Sequence, residues 1–289
     1  MKQIQWFPGH MSKASREIKE KIQLVDIVCE LVDARSPLAS RNPVIDDIVG
    51  VRPRIVILTK TDLADERKTR LWHQYFADHA IPTFDFDVNK RFNLKAFVDS
   101  LQQILSEKFA KEKAQGRKPR AIRMMIVGIP NVGKSTFINK IAGRKAATVG
   151  NKPGVTKAQQ WIRLHQQLEL LDTPGILWPK FEDQSVGLKL ALLGTIKDDI
   201  LPLETIAEYG LTFMRDNYPN QLVERYGEAG ISADFIEQLD SIAKMRNSIG
   251  RGGETDYHKI YQFFLHDIRN GALGCLTLEV PEEVTADEA

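Results

Sequence analysis

Cysteine is scarce in this sequence: Cys29 and Cys275 are the only two in 289 residues. They form no C-x-x-C pair and no zinc-ligand spacing, which excludes a disulfide scaffold and a zinc ribbon. Two free, buried thiols in a reducing compartment are expected. A dominant charge sign is also missing. Lys and Arg total 40 against 38 Asp and Glu, a net charge of +2. Bulk charge therefore does not announce a nucleic-acid binder, and any such role has to come from local patches. No apolar run approaches the ~20 residues that span a bilayer. The opening MKQIQWFPGHMSK has no apolar stretch of the secretory-signal kind. A cytoplasmic protein without a membrane partner is expected. Internal repeats are absent as well. With 43% hydrophobic and 27% charged residues the chain has an ordinary globular composition. Its length suggests about two domains.

What is present is an alternation of apolar runs and helical periods. Ile27–Val32, Arg54–Thr59, Ile122–Val127 and Gln167–Leu171 read as buried strands, each ending in a loop. Helical patterns cover Ser12–Leu24, Glu66–His79, Leu94–Ala114 and Lys134–Ala142. Strands alternating with helices predict a parallel α/β sheet. Between Lys108 and Arg123 the chain carries Lys111, Lys113, Arg117, Lys118 and Arg120, opposed only by Glu112, and Gly116 and Pro119 interrupt any helix. This reads as a solvated connector, with a phosphate-contacting stripe as the second reading. Beyond about residue 180 helix follows helix: Val186–Thr195, Leu203–Asn217, Pro219–Tyr226, Ala233–Met245 and Tyr257–Asn270. Glu282 to Ala289 is an acidic tail, expected to be disordered.

The strongest motif is Gly128-Ile-Pro-Asn-Val132-Gly133-Lys134-Ser135, which fits G-x-x-x-x-G-K-[ST] between a strand and a helix. Glycines let the backbone wrap a phosphate, and the helix N-terminus offers N–H donors. Lys134 is placed to reach the β- and γ-phosphates, and the Ser135 hydroxyl to bind Mg²⁺. Asp172-Thr-Pro-Gly175 follows a strand and fits D-x-x-G. Its Asp would hold Mg²⁺ through water, and the Gly175 amide would meet the γ-phosphate. Thr59-Lys60-Thr61-Asp62 resembles the guanine-reading N-K-x-D, with Thr59 in place of Asn. A carboxylate there pairs with the guanine N1–H and 2-amino group, which adenine lacks, so such a site discriminates strongly. A helix N-cap by Thr61 or Asp62 is compatible with the same residues. The base-reading motif precedes the P-loop instead of following it, as a circular permutation requires. The same loops meet at one sheet edge whatever their order in the chain.

With these motifs in this order, the sequence resembles the circularly permuted GTPases, most closely the ribosome biogenesis GTPase A family. The resemblance spans nearly the whole chain. It includes Gln5-Trp-Phe-Pro-Gly-His10-Met, Val32-Asp-Ala-Arg35, Thr59–Asp62, Gly128–Thr136, Pro153-Gly-Val-Thr156 and Leu171–Pro179. It implies a permuted Ras-like P-loop GTPase domain over residues 1–178, with an RNA-contacting N-terminal segment 1–21. A smaller helical RNA-binding domain would follow over 179–281. It further implies GTP hydrolysis in late assembly of the bacterial large ribosomal subunit, and binding to ribosomal RNA. Thr156 matches the switch threonine that meets Mg²⁺ and the γ-phosphate. Asn131 matches a P-loop Asn linked to potassium, and a fifth guanine motif falls near Asp87-Val-Asn89, where Asp87 replaces a small hydroxyl residue.

Ile176 stands where many GTPases carry the glutamine that orients the attacking water. Unaided hydrolysis is therefore expected to be slow. The resemblance points to His10 as the substitute, since imidazole can hold a water and titrates near neutrality; a structural or RNA-contacting His10 stands beside that reading. Lys2, Lys13, Arg16, Lys19 and Lys21 lie near Trp6 and Phe7, a mixture suited to RNA stacking and phosphate contact, or equally to aromatics packed on the domain beside solvated lysines. Arg246, Arg251, Lys259 and Arg269 are further candidate phosphate contacts. A monomer is expected. Two other classes stand beside this reading: a slow nucleotide-gated RNA-binding scaffold, which Ile176 favours, and a P-loop ATP-dependent kinase, which Thr59–Asp62 opposes.

Overall fold

The computed structural model describes residues 18–143, 161–171, 183–196, 202–246, 248 and 255–281. Strand β1 (Ile27–Asp33) is buried along all seven residues. A run buried on both faces belongs inside a parallel sheet, and β1 lies there. It pairs in parallel with β2 (Arg54–Thr59) on one side and with β4 (Ile122–Gly128) on the other. Beyond β2 comes β3 (Thr83–Phe86), and beyond β4 come β6 (Leu168–Leu171) and the antiparallel edge strand β5 (Trp161–His165). The order is β3-β2-β1-β4-β6-β5. The strand leading into the glycine-rich loop is thus fourth in the chain and central in space.

Helices α1 (Pro43–Val49), α2 (Glu66–Asp78), α3 (Leu94–Ile104), α4 (Ser106–Ala114) and α5 (Lys134–Ala142) accompany the sheet. Successive β1 side chains serve opposite faces. Ile27, Cys29 and Leu31 join Phe97, Leu101 and Phe137 on one side; Val28 joins Ile45, Met125 and Val127 on the other. Asp65 caps α2 by accepting from the Arg67 and Lys68 amides at 2.8 and 3.2 Å. One turn apart on that helix, Trp72 and Phe76 are fully buried.

The apolar runs land as strands at or within a residue of where the sequence puts them. One expected helix is two: Leu94–Ala114 divides at Leu105. The buried stripe of Phe97, Val98 and Leu101 ends there, and α4 buries no residue. Three elements escaped the pattern: β3 has one buried residue, β5 is a half-exposed edge, and α1 is a seven-residue helix opened by proline. Neither thiol is bridged, but only Cys29 is buried; Cys275 is exposed, against expectation, because it follows exposed Gly274 just before the chain becomes buried at Leu276.

The basic stretch 108–123 is not simply a solvated connector. Asp26, 4% exposed, accepts from Lys108 Nζ, from both terminal nitrogens of Arg120 at 2.6 and 2.8 Å, and from the Arg123 amide at 2.8 Å. Arg123 also stacks over Trp161. Burial alone would raise the Asp26 carboxyl; the Arg120 and Lys108 bonds outweigh it and hold it at about 2. A carboxyl depressed below its ordinary value adds stability above about pH 4, and that stability is lost as pH falls through about 2. Asp26→Asn should therefore lower the unfolding free energy by about 2 kcal/mol at pH 7. Urea melts at pH 7 and pH 3 check this: the gap between the two proteins should narrow at the lower pH.

A second apolar cluster gathers α6 (Gln184–Leu192), α7 (Leu203–Asn217), α8 (Pro219–Tyr226), α9 (Phe235–Met245) and α10 (Tyr257–Arg269) around Ile206, Leu211, Ile242 and Phe264. Leu190 of α6 belongs to the sheet cluster, whereas Ala191 and Leu192 belong to the helical one, so α6 serves both. Asp267, 1% exposed, holds α8, α9 and α10 together by accepting from Arg225, Tyr226 and Arg246. Arg269 donates to the Ala191 and Leu192 carbonyls at the end of α6, at 2.7 and 3.0 Å. Arg246 and Arg269, expected as phosphate contacts, thus have internal partners. Lys259 lies over the Phe263 ring, and Arg251 is outside the described residues.

Candidate functional site

Parallel strands that end in register deliver their loops to one edge. Asp33 is paired with Thr59, Thr59 with Phe86, and Leu31 with Gly128. The loops after β1, β2, β3 and β4 therefore open side by side, the usual place for a ligand in such a sheet. At Gly128 the backbone has φ +151°, and a Cβ would stand 2.7 Å from the Leu31 carbonyl oxygen. Only glycine lets β4 turn into its loop this close to β1.

The loop then enters α5 through Gly133, and no side chain caps that helix. Its first N–H groups and the positive end of its dipole face the loop, a ready seat for an anion. The Lys134 ammonium folds back over the loop and donates to the carbonyls of Gly128, at 2.9 Å, and Ile129. Burial pushes its pKa down to about 8. Ser135 and Thr136 follow on the first turn, half-buried and exposed, while Val132 is buried. Asn131 takes φ +58°, and its amide Nδ2 donates to the Gly194 carbonyl at 3.1 Å. Gly194 lies just past the end of α6.

Thr59 ends β2 with its hydroxyl 2.7 Å from the Val132 carbonyl and 2.9 Å from that of Val32. Donating to the first, it fastens the glycine-rich loop to the neighbouring strand. Replacement of Asn by Thr therefore keeps a side-chain donor at this junction. Lys60 follows with φ +56°, and its ammonium lies 2.9 Å from Asp33. Asp33 is buried and accepts Arg35 in a two-pronged bond of 3.0 and 2.9 Å. Burial would raise the Asp33 carboxyl; Arg35 and Lys60 overcome it and hold it far below the usual range. Arg35 and Asp33 thus fix the lysine of the base-reading motif, a role the site residues named from the sequence omit. The Val32-Asp-Ala-Arg35 stretch in the resemblance marked these residues, but only the strand register sets Asp33 beside Thr59.

Asp62 carries the chemistry of this loop. Its Oδ2 accepts from Asn89 Nδ2 at 2.8 Å. Its Oδ1 is shielded from solvent and makes no hydrogen bond. This oxygen has no partner within the protein, so a small turn of the side chain toward the open edge would offer an acceptor to a ligand N–H. Asn89 is presented by Asp87, whose Oδ1 accepts the Asn89 amide at 2.8 Å, a local turn that Asp side chains form readily. Partial burial pushes the Asp87 carboxyl up, but the Asn89 amide and Lys90 prevail and hold it below its ordinary value. The structure therefore gathers Thr59, Lys60, Asp62, Asp87, Asn89 and the loop 128–136. His10, Thr156, Asp172 and Gly175 lie outside the described residues. Among the described residues no cluster of three or more His, Cys, Asp or Glu could hold a metal. A metal carried by phosphate oxygens needs no such cluster.

The chain is similar to known GTPases. A family model described as a 50S ribosome-binding GTPase matches residues 123–218. A ribosome biogenesis GTPase A of Bacillus cereus is 51% identical over 97% of this chain and 95% of its own. The Thermotoga maritima protein of that name is 32% identical over 98% and 96%. The mitochondrial ribosome-associated GTPase 1 of Xenopus tropicalis is 32% identical over 95% and 94%. Among solved structures, GNP-bound YlqF from T. maritima superposes with a TM-score of 0.67 at 28% identity, over 93% of this chain and 99% of that one. A GDP-bound YlqF structure matches with the same TM-score at 27% identity, over 92% and 100%.

Proposed function

The chain belongs to the ribosome biogenesis GTPase A family, and from that premise we propose that it acts as a GTP-driven switch in late assembly of the large (50S) ribosomal subunit, binding ribosomal RNA. It is a circularly permuted P-loop GTPase that binds guanine nucleotide and hydrolyses GTP to GDP and phosphate. The observation that carries the nucleotide reading is the placement of the Asp62 carboxylate, whose Oδ2 is held by Asn89, in the loop that follows Thr59, which is itself hydrogen-bonded to the glycine-rich loop.

In this reading Lys134 and the first amides of α5 offset charge developing on the γ-phosphoryl group. Lys60, Asp62 and Asn89 face the guanine, with Thr59 and Asp87 shaping the loops that hold them. Mg²⁺ would sit on Ser135, Thr156 and Asp172 and neutralise phosphate charge, and Gly175 would meet the γ-phosphate. With Asn131 Nδ2 bound to Gly194, its Oδ1 remains the end of the amide suited to a potassium ion. His10 would orient the attacking water once the ribosomal partner seats the N-terminal segment. The exposed residues Lys111, Lys113, Arg117 and Lys118 support a phosphate-contacting surface. Residues 1–178 serve as the catalytic domain and 179–281 as the RNA-binding one.

Multiple-turnover hydrolysis with and without purified large subunits tests the proposal, in potassium and in sodium buffer. Turnover should rise at least about tenfold with subunits in potassium, a barrier change of about 1.4 kcal/mol. It should fall in sodium, and His10→Ala should lose the stimulation while keeping GDP affinity. Tight GTP binding with no stimulation would instead favour the slow nucleotide-gated scaffold, the reading that Ile176 supports.

A further inference from the structure

We propose that the C-terminal strap, residues 275–279, positions the base-reading loop, so that the helical part of the chain helps set guanine selectivity. The inference rests on the reading of Asp62 as the guanine-reading residue.

After α10 the chain crosses back to the sheet domain. The Leu276 amide donates to the Leu63 carbonyl at 3.0 Å, and the Leu278 amide to the Arg35 carbonyl at 2.7 Å. Two alternate strap residues thus engage the loops that follow β2 and β1. Between them Thr277 is fully buried, and its hydroxyl accepts from the Asp65 amide at 3.1 Å. The Thr277 amide in turn donates to the Tyr218 hydroxyl at the start of α8, at 3.0 Å. Cys275 Sγ lies 3.5 Å from the carbonyl oxygen of Asp62 itself. Within the loop the backbone makes Leu63 to Lys60 and Ala64 to Thr61 bonds of 2.9 and 3.4 Å. The strap supplies the partners on the outer side.

Glu279 locks the strap in place. It is 3% exposed; its Oε1 accepts the Leu38 and Ala39 amides at 2.6 and 3.1 Å, and its Oε2 lies 3.1 Å from Lys189 of α6. Trp72 of α2 donates to its carbonyl at 3.2 Å. A buried carboxylate with these partners is costly to pull away. Asp62 is therefore held from two directions, by Asn89 at its side chain and by the strap at its backbone. By linkage, a nucleotide that engages Asp62 strengthens strap docking as much as the strap strengthens nucleotide binding. Thr277 and Glu279 are positioning residues in this account, since neither need touch the nucleotide.

The test compares GDP with inosine diphosphate, whose base lacks the 2-amino group. Wild-type protein should prefer GDP, and Asp62→Ala should abolish the preference. Thr277→Val should weaken GDP binding about fivefold, the worth of one hydrogen bond, and narrow the preference. Thr277→Ser, which keeps the hydroxyl, should restore both. Loosening of the whole fold would reduce binding of the two nucleotides alike and leave their ratio unchanged. Glu279→Gln provides a second variant should Thr277→Val fail to fold, with the same narrowing expected. A wild-type ratio in the folded strap variants, with the preference still lost in Asp62→Ala, overturns the strap proposal alone. A wild-type protein with no preference for GDP overturns the reading of Asp62 beneath it.

Discussion

Asp62→Asn should exchange one purine nucleotide for another. GTP affinity should fall by about 10³-fold, and xanthosine triphosphate should become the preferred ligand. Guanine presents N1–H and a 2-amino group, two donors that a carboxylate accepts; each such charge-assisted bond is worth about 1.5–3 kcal/mol. Xanthine keeps N1–H but carries a carbonyl at position 2. The carboxamide that replaces the Asp62 carboxylate would accept from N1–H through its oxygen and donate to that carbonyl through its NH₂ group. Against GTP the same NH₂ group would meet a donor with a donor. The rest of the pocket should tolerate the change, since Asn and Asp have the same shape and Asn89 can turn its amide to suit. Competition against a labelled nucleotide reads the result directly. An Asp62→Asn protein that still prefers GTP would assign base recognition to another group.

The nucleotide half of the site was legible because its chemistry is local. Gly128 to Ser135 is contiguous, and a glycine-rich turn between an apolar strand and a helix needs no distant residue to be recognised. Lys60 and Asp62 were legible for the same reason. What surrounds them was not. Asp33 reaches Lys60 only because β1 and β2 run in register, Asp33 beside Thr59. Nothing in either segment alone states that pairing. Asp26 collects Lys108 and Arg120 from more than 80 positions away, so a basic stretch that reads as solvated serves as an anchor. Thr277 and Glu279 lie over 200 positions from the loops they hold. Helix ends were legible where a cap or proline stood, as at Asp65 and Pro219. The break at Leu105 was missed because it has no breaker residue. It follows from where the buried stripe stops.

Lys134→Met should lower GTP turnover at least about 10³-fold with little loss of stability. In the free protein the ammonium sits over two carbonyls in a half-buried loop, and burial pushes it down to about 8. Its folded pKa lies below the unfolded value, so the buried charge costs stability below about pH 8. That cost is relieved as pH rises from about 8 toward the unfolded value. Methionine removes the cost and also the two hydrogen bonds, and the effects oppose each other. Bound polyphosphate changes the balance by setting negative charge beside the ammonium and restoring its preference for the proton. Above about pH 8 nucleotide binding must therefore take up protons. Wild-type affinity should be flat from pH 7 to 8 and fall from 8 to 9, whereas the methionine variant should bind weakly without that fall. Calorimetric titration with GDP in two buffers of different ionisation enthalpy measures the uptake. Equal heats at pH 8.5, after dilution correction, would mean that the lysine is already fully charged before the phosphates arrive. The carbonyls of Gly128 and Ile129 would then be its permanent solvation, and the ammonium would meet the nucleotide as a preformed cation.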